Sequence, residues 1–106
     1  MLKVLIVVPT FNESESIMTL LERIDNVREE ISKTYLLDVL VVDDNSPDRT
    51  ADIVIKRNYQ YVSVLSQSKK KGLASAYLAG FQWGLERDYD FFMQMDGDLS
   101  HQPEQI

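Results

Sequence analysis

The chain has 106 residues, 44% of them hydrophobic, which is enough for one core and one domain spanning 1–106. Lys and Arg number 11 against 17 Asp and Glu, a net charge of −6, and this argues against duplex nucleic acid as a partner because phosphate neutralisation dominates such binding. There are no cysteines, which excludes disulfides and thiolate metal sites, and neither a signal peptide nor a membrane-spanning apolar stretch is read, so a cytoplasmic setting is expected.

Leu2 to Val8 is an almost unbroken aliphatic run, the pattern of a strand covered on both faces, which Pro9 is expected to stop. Asn12 and Glu15 have the spacing of a capping box, and Ile17, Leu20, Leu21, Ile24, Val27 and Ile31 follow as one helical stripe. Leu36 to Val42 reads as a second buried strand, interrupted only by Asp38 and ending in Asp43 and Asp44. Ser46 and Pro47 suit the cap and first turn of a second helix whose inner face is Ala51, Val54 and Ile55. Tyr61 to Leu65 alternates as a short third strand, and Ser66 to Gly72 is a polar loop with Lys69, Lys70 and Lys71. From Leu73 to Leu85 a helix carries Leu73, Tyr77, Phe81 and Leu85 at spacing four, while Ala76, Gly80 and Gly84 would let it lie close to a sheet. Tyr89 to Met95 is a final strand, and the Asp96-Gly97-Asp98 turn closes it.

The order βαβαβαβ predicts an α/β fold: a Rossmann-like parallel sheet with right-handed crossovers and helices on both faces. In such a sheet every C-terminal strand end lies on one edge, where ligands bind. Three chemically distinctive clusters then converge there: Pro9 to Glu13, Asp43 to Asp48, and Asp96 to Asp98. Residues two apart on a straight strand stand roughly 6.6 Å from each other. One Mg²⁺ needs oxygens at about 2.0–2.1 Å, so Gly97 is needed to bend the pair toward a common ion, or to leave one carboxylate on the ion and the other on a water or hydroxyl. An oxygen-rich set favours Mg²⁺ or Mn²⁺ over softer metals. Neither a G-x-G-x-x-G turn nor a P-loop occurs, so dinucleotide and P-loop readings fail. Taken singly, each cluster also has a plain reading as a cap, a strand terminator or a solvated acidic loop.

Val8-Pro9-Thr10-Phe11-Asn12-Glu13, Val42-Asp43-Asp44-Asn45-Ser46-Pro47-Asp48 and Met95-Asp96-Gly97-Asp98-Leu99-Ser100-His101-Gln102-Pro103 together resemble family-2 glycosyltransferases of the GT-A fold, in particular the polyprenol (dolichol) phosphate mannosyltransferase type. The resemblance implies that the chain is the N-terminal, donor-binding half of such a fold, cut short after the second of the paired acids. It also implies that Pro9, Phe11 and Glu13 line a nucleotide pocket, that Val42 and Asp44 surround the base, and that Asp96 and Asp98 are the catalytic pair, holding a donor diphosphate through Mg²⁺ or Mn²⁺ with Gly97 backbone beside them. The implied reaction carries a hexose, mannose from GDP-mannose, to a polyprenyl or dolichyl phosphate at the cytoplasmic face of a membrane, with membrane contact made by the missing C-terminal part.

The sequence departs from the family pattern at Phe11, where tyrosine is usual, at Arg49, where glycine is common, at Gly97, where alanine is common, and at Ala74, where a second glycine is missing from the Lys71-Gly72-Leu73 region. The lysine run reads as a solvated loop or a contact for a lipid phosphate. A phosphate acceptor is already an anion, so the scarcity of general bases other than His101 is compatible with the reaction. Three other readings are open on the sequence: a family-2 enzyme using a UDP-sugar for polysaccharide or lipid glycosylation, a nucleotide-sugar-binding fragment without turnover, and a receiver-like domain with an acidic Mg²⁺ site. Without a later strand beside it, the 89–95 strand would be an exposed apolar edge that predicts homo-oligomers.

Overall fold

The computed structural model describes residues 1–68 and 72–97. Lys69, Lys70, Lys71, Asp98 and His101, all singled out above, lie outside the described residues. Strands β1 (Leu2–Thr10), β2 (Tyr35–Asp43), β3 (Val62–Ser66) and β4 (Phe91–Gln94) alternate with helices α1 (Ile17–Glu30), α2 (Thr50–Arg57) and α3 (Leu73–Leu85). The four strands form one parallel sheet in the order β3-β2-β1-β4.

Side-chain alternation along the two central strands divides the core into two layers. Val4, Ile6, Val8, Val39 and Val41 pack on one face with Leu20, Leu21 and Ile24 of α1 and Val54 of α2. Leu5, Val7, Leu40 and Val42 pack on the other face against Ala76 of α3. Residues apolar at every position satisfy both layers at once, which is why β1 and β2 read as continuous runs. Ile55 departs from the sequence expectation: it is 56% exposed, and Thr50 and Val54 are the buried residues of α2.

Pro9 does not stop β1. The strand continues to Thr10, and Pro9 pairs with Val42. Lys3 and Val7 accept hydrogen bonds from Asp90 and Met95, so odd-numbered residues of β1 turn their backbone toward β4. The missing Pro9 N–H therefore faces the side where pairing has ended at Val7 and Gln94, and no ladder bond is lost. Among the described residues β4 stands at the sheet edge with its ladder to β1; the strand is shorter than the expected 89–95, Phe91 is 52% exposed and Met95 is buried.

Close approach of α3 to the sheet depends on its small residues. Ala76, Gly80 and Gly84 are the buried positions, while Leu73 and Leu85 are exposed. A Cβ on Gly80 would stand 2.5 Å from Val7 Cγ1, in a layer with no slack. Gly80→Ala is expected to cost about 1–3 kcal/mol by overpacking, outweighing the ~1 kcal/mol of helix propensity that alanine returns. Urea denaturation with a lower midpoint and an unchanged slope checks this.

Candidate functional site at the sheet edge

The C-terminal tips of β1, β2 and β4 open into one cleft of about 330 Å³. Pro9, Thr10, Phe11 and Glu13 line it from the first tip, Asp44 from the second, and Asp96 and Gly97 from the third. The first turn of α3 closes it through Gly72, Leu73 and Ala76, so the positive end of that helix dipole meets the cleft. Seven of the eight site residues expected from sequence lie in the described region, and six of them share this cleft. The seventh, Val42, is fully buried in the layer beneath α3 and offers a ligand no side-chain surface. Alternation along β2 turns its side chain into the core, so any contact it made with a ligand would come from its backbone.

The loops carrying the tips are tied together by side chains. Asn12 N–H donates to Ser46 Oγ, Glu13 N–H to Thr50 Oγ1, and Ser14 N–H to Asp48 Oδ2, at 2.9, 3.1 and 3.1 Å. Three successive amides after β1 are thus received by three side chains of the β2–α2 loop. This overturns the expected capping box. Asn12 is left-handed at φ 56°, α1 begins only at Ile17, and Ser16 at its cap makes no side-chain capping bond. Ser46 does not cap α2 either. Its hydroxyl donates to the buried Asp43 carboxylate while accepting from Asn12, and α2 begins at Thr50. Arg49 precedes α2 at φ 63° and ψ 35°, a left-handed conformation that glycine adopts without strain, which explains why glycine suits that position.

Asp48 also accepts from the Thr50 amide and hydroxyl. Desolvation pushes its carboxyl pKa up, but the hydrogen bonds from Thr50 and Ser14 outweigh it and hold the pKa below the ordinary 3.8. A depressed carboxyl pKa stabilises the fold fully above the unfolded value, and the contribution is lost as pH falls through the folded value. Asp48→Asn is therefore expected to lower the melting temperature by a few degrees at pH 7. The gap from the unaltered chain should close below about pH 4 in a melting series across pH.

Asp44, 5% exposed, receives the Gly72 N–H on Oδ2 at 3.0 Å, and Gly72 sits at φ 92°, which only glycine adopts freely. This contact fixes the start of α3 against the tip of β2; the glycine after the lysine run was its one trace in the sequence. At the third tip, Ser16 donates to the Gly97 carbonyl at 2.6 Å, and a Cβ on Gly97 would stand 3.0 Å from Thr10 Cγ2. Tyr77 of α3 donates its hydroxyl to Asp96 Oδ1 at 3.2 Å. Burial, together with the charge and hydrogen bond of Asp96, raises the Tyr77 pKa to about 12, so the phenol is a donor at neutral pH. Sequence reading counted Tyr77 only as part of a packing stripe.

The donor set facing the cleft is oxygen: the carboxylates of Asp96, Asp44 and Glu13 with nearby backbone. That chemistry fits a hard divalent cation. Among the described residues no three of His, Cys, Asp and Glu gather closely enough to cage an ion. Mg²⁺ commonly takes only one or two carboxylates from the protein and keeps several waters, so a full cage is not required for the residues to suit it.

Against known proteins, residues 5–106 match the family described as glycosyl transferase family 2. The chain is 48% identical, over 99% of its length and 42% of the relative's, to an undecaprenyl-phosphate mannosyltransferase of Micrococcus luteus. It is 41% identical to a dolichol-phosphate mannosyltransferase of Pyrococcus furiosus, covering 99% of this chain and 28% of the relative. A polyprenol monophosphomannose synthase of Mycolicibacterium smegmatis is 38% identical, with 98% and 38% covered. The chain therefore spans less than half the length of these curated relatives. Among solved structures, a mannosyltransferase from Pyrobaculum calidifontis in complex with GDP-Man and Mn²⁺ superposes with a TM-score of 0.62 over 90% of this chain and 27% of that one, at 24% identity, a likeness of fold. With the fold, the converging acidic tips and a match over nearly all its residues in agreement, the chain belongs to glycosyl transferase family 2.

Proposed function

We propose that the chain binds the donor of a hexosyl transfer from GDP-mannose to a polyprenyl phosphate, with a divalent cation, Mg²⁺ or Mn²⁺, at Asp96 and Asp98. The supporting observation is the single cleft into which three strand tips bring Asp44, Glu13 and Asp96 beside the first turn of α3. The names of the relatives supply the substrate classes.

In this reading the Asp44 carboxylate accepts hydrogen bonds from the base, already steadied on one oxygen by Gly72. Pro9 and Phe11 cover an apolar face of the nucleoside, and Glu13 borders the ribose and phosphates. Asp96 and Asp98 would hold the cation, which would supply Lewis-acid neutralisation of charge on the departing diphosphate. An acceptor phosphate oxygen attacks the anomeric carbon while the bond to the diphosphate breaks and its electron pair leaves with the GDP. The attacking oxygen is already ionised, so no general base is required. An acceptor of this class is anchored in a bilayer, so the proposed reaction runs at a membrane surface; among the described residues no helix is long and apolar enough to cross one.

Melting curves with GDP-mannose, UDP-glucose and UDP-N-acetylglucosamine, each with and without Mn²⁺, test this. GDP-mannose with Mn²⁺ is expected to stabilise most, by about 2.7 kcal/mol at a hundred times its dissociation constant. A larger shift with a uridine sugar reassigns the base, and no shift with any of them overturns the reading.

A further inference from the structure

Asp96 stands past the end of the β4 ladder. Gln94 is the last paired residue, and the Met95 amide makes the final bond to β1, on Val7. Beyond the ladder the Asp96 carboxylate takes its orientation from side-chain and loop contacts, of which the Tyr77 hydroxyl is one. Tyr77 reaches this carboxylate from α3 without itself lining the cleft. Its ring is stacked on Phe81, with centroids 6.3 Å apart and planes 18° apart. Phe81 in turn packs edge-on against Phe92 at 5.7 Å and 80°. Phe92 belongs to β4, so a row of three rings sets the height of the Tyr77 hydroxyl against the strand that carries Asp96.

We propose that Tyr77 is a positioning residue for Asp96, its hydroxyl holding one carboxylate oxygen so that the group is presented to the cleft in one orientation. This rests on the reading of Asp96 as the side chain that meets a cation and a diphosphate. The packing belongs to the ring and the positioning to the hydroxyl, so the two separate in Tyr77→Phe, which keeps the ring row and removes only the donor. A hydrogen bond onto a charged carboxylate is among the stronger kinds.

The experiment is calorimetric titration of GDP into the full chain without metal and at a series of Mn²⁺ concentrations, for the unaltered chain, Tyr77→Phe and Asp96→Asn, with a melting curve for each. Tyr77→Phe is expected to keep its metal-free GDP affinity and to melt a few degrees lower at most, while the Mn²⁺ concentration giving half of the metal-dependent gain rises roughly tenfold. A structural role alone would lower the melting temperature or the metal-free affinity and leave the Mn²⁺ midpoint where it is. An unchanged or lower Mn²⁺ midpoint in Tyr77→Phe, with a clear Mn²⁺ gain in the unaltered chain that Asp96→Asn abolishes, overturns the role of Tyr77 and leaves that of Asp96 standing. Absence of any Mn²⁺ gain in the unaltered chain, or its survival in Asp96→Asn, overturns both.

Discussion

Asp96→Asn is expected to weaken Mn²⁺-dependent binding of GDP by about 100-fold or more, because even groups hydrogen-bonded to metal ligands typically cost 10–100-fold when removed. Metal-free affinity should change little, since asparagine has nearly the same shape and still offers Oδ1 to Tyr77. Without ligand the variant is expected to melt within a few degrees of the unaltered chain. Asparagine keeps the contact with Tyr77 and nearly the same volume, so the fold loses little. A variant that is folded, nearly as stable and unresponsive to Mn²⁺ is a pattern that a merely disrupted site would not give. Isothermal titration paired with melting curves reads both halves.

The second large effect belongs to Asp43. This carboxylate is 3% exposed and accepts from Thr10 Oγ1 at 2.7 Å, Ser46 Oγ at 2.7 Å and Ser46 N–H at 2.9 Å. It joins the ends of β1 and β2 and holds Ser46 where Asn12 N–H can reach it. Asp43→Ala strands these donors in a site that water reaches poorly, and unpaired buried donors cost about 1–3 kcal/mol each. A net loss of about 2–4 kcal/mol is expected, a fall in melting temperature of roughly 10–20 °C for a domain of this size. Asp43→Asn should be milder. Its carbonyl can still accept from the two hydroxyls, but its amide nitrogen meets the Ser46 N–H donor to donor. Circular-dichroism melts of the two variants in parallel check both the size and the order of the effects.

Much of the fold was legible because β1 and β2 lie at the centre of a sheet covered on both sides, and such strands leave no choice but aliphatic residues at every position. The Ala76, Gly80 and Gly84 stripe was equally plain, since little else lets a helix sit that close to a sheet. What the sequence misled on was local. Asn12 and Glu15 have capping-box spacing, yet Asn12 spends its N–H on a hydroxyl 34 residues away, and no nearby spacing reports that. Ser46 was read as a cap for the same reason, when its partner is Asp43. The convergence of the acidic tips followed from parallel topology alone. Val42 was named only through the resemblance, and its side chain lies in the core beneath α3. Gly72 and Tyr77 act on Asp44 and Asp96 through a packing that had first to be built.

The order of the strands also bears on how the chain reaches its native state. The Thr10–Asp43 tie closes a separation of 33 residues, whereas Lys3 N–H reaches Asp90 across 87. Closing the longer separation carries roughly 0.9 kcal/mol more chain entropy, so β4 is expected to dock last during refolding. The interlocked loops after β1 and β2 would then stand complete before Asp96 arrives. Recovery of nucleotide binding should accordingly lag behind recovery of helical signal in a stopped-flow experiment, and a bound donor should act as a latch on the final strand, slowing its release.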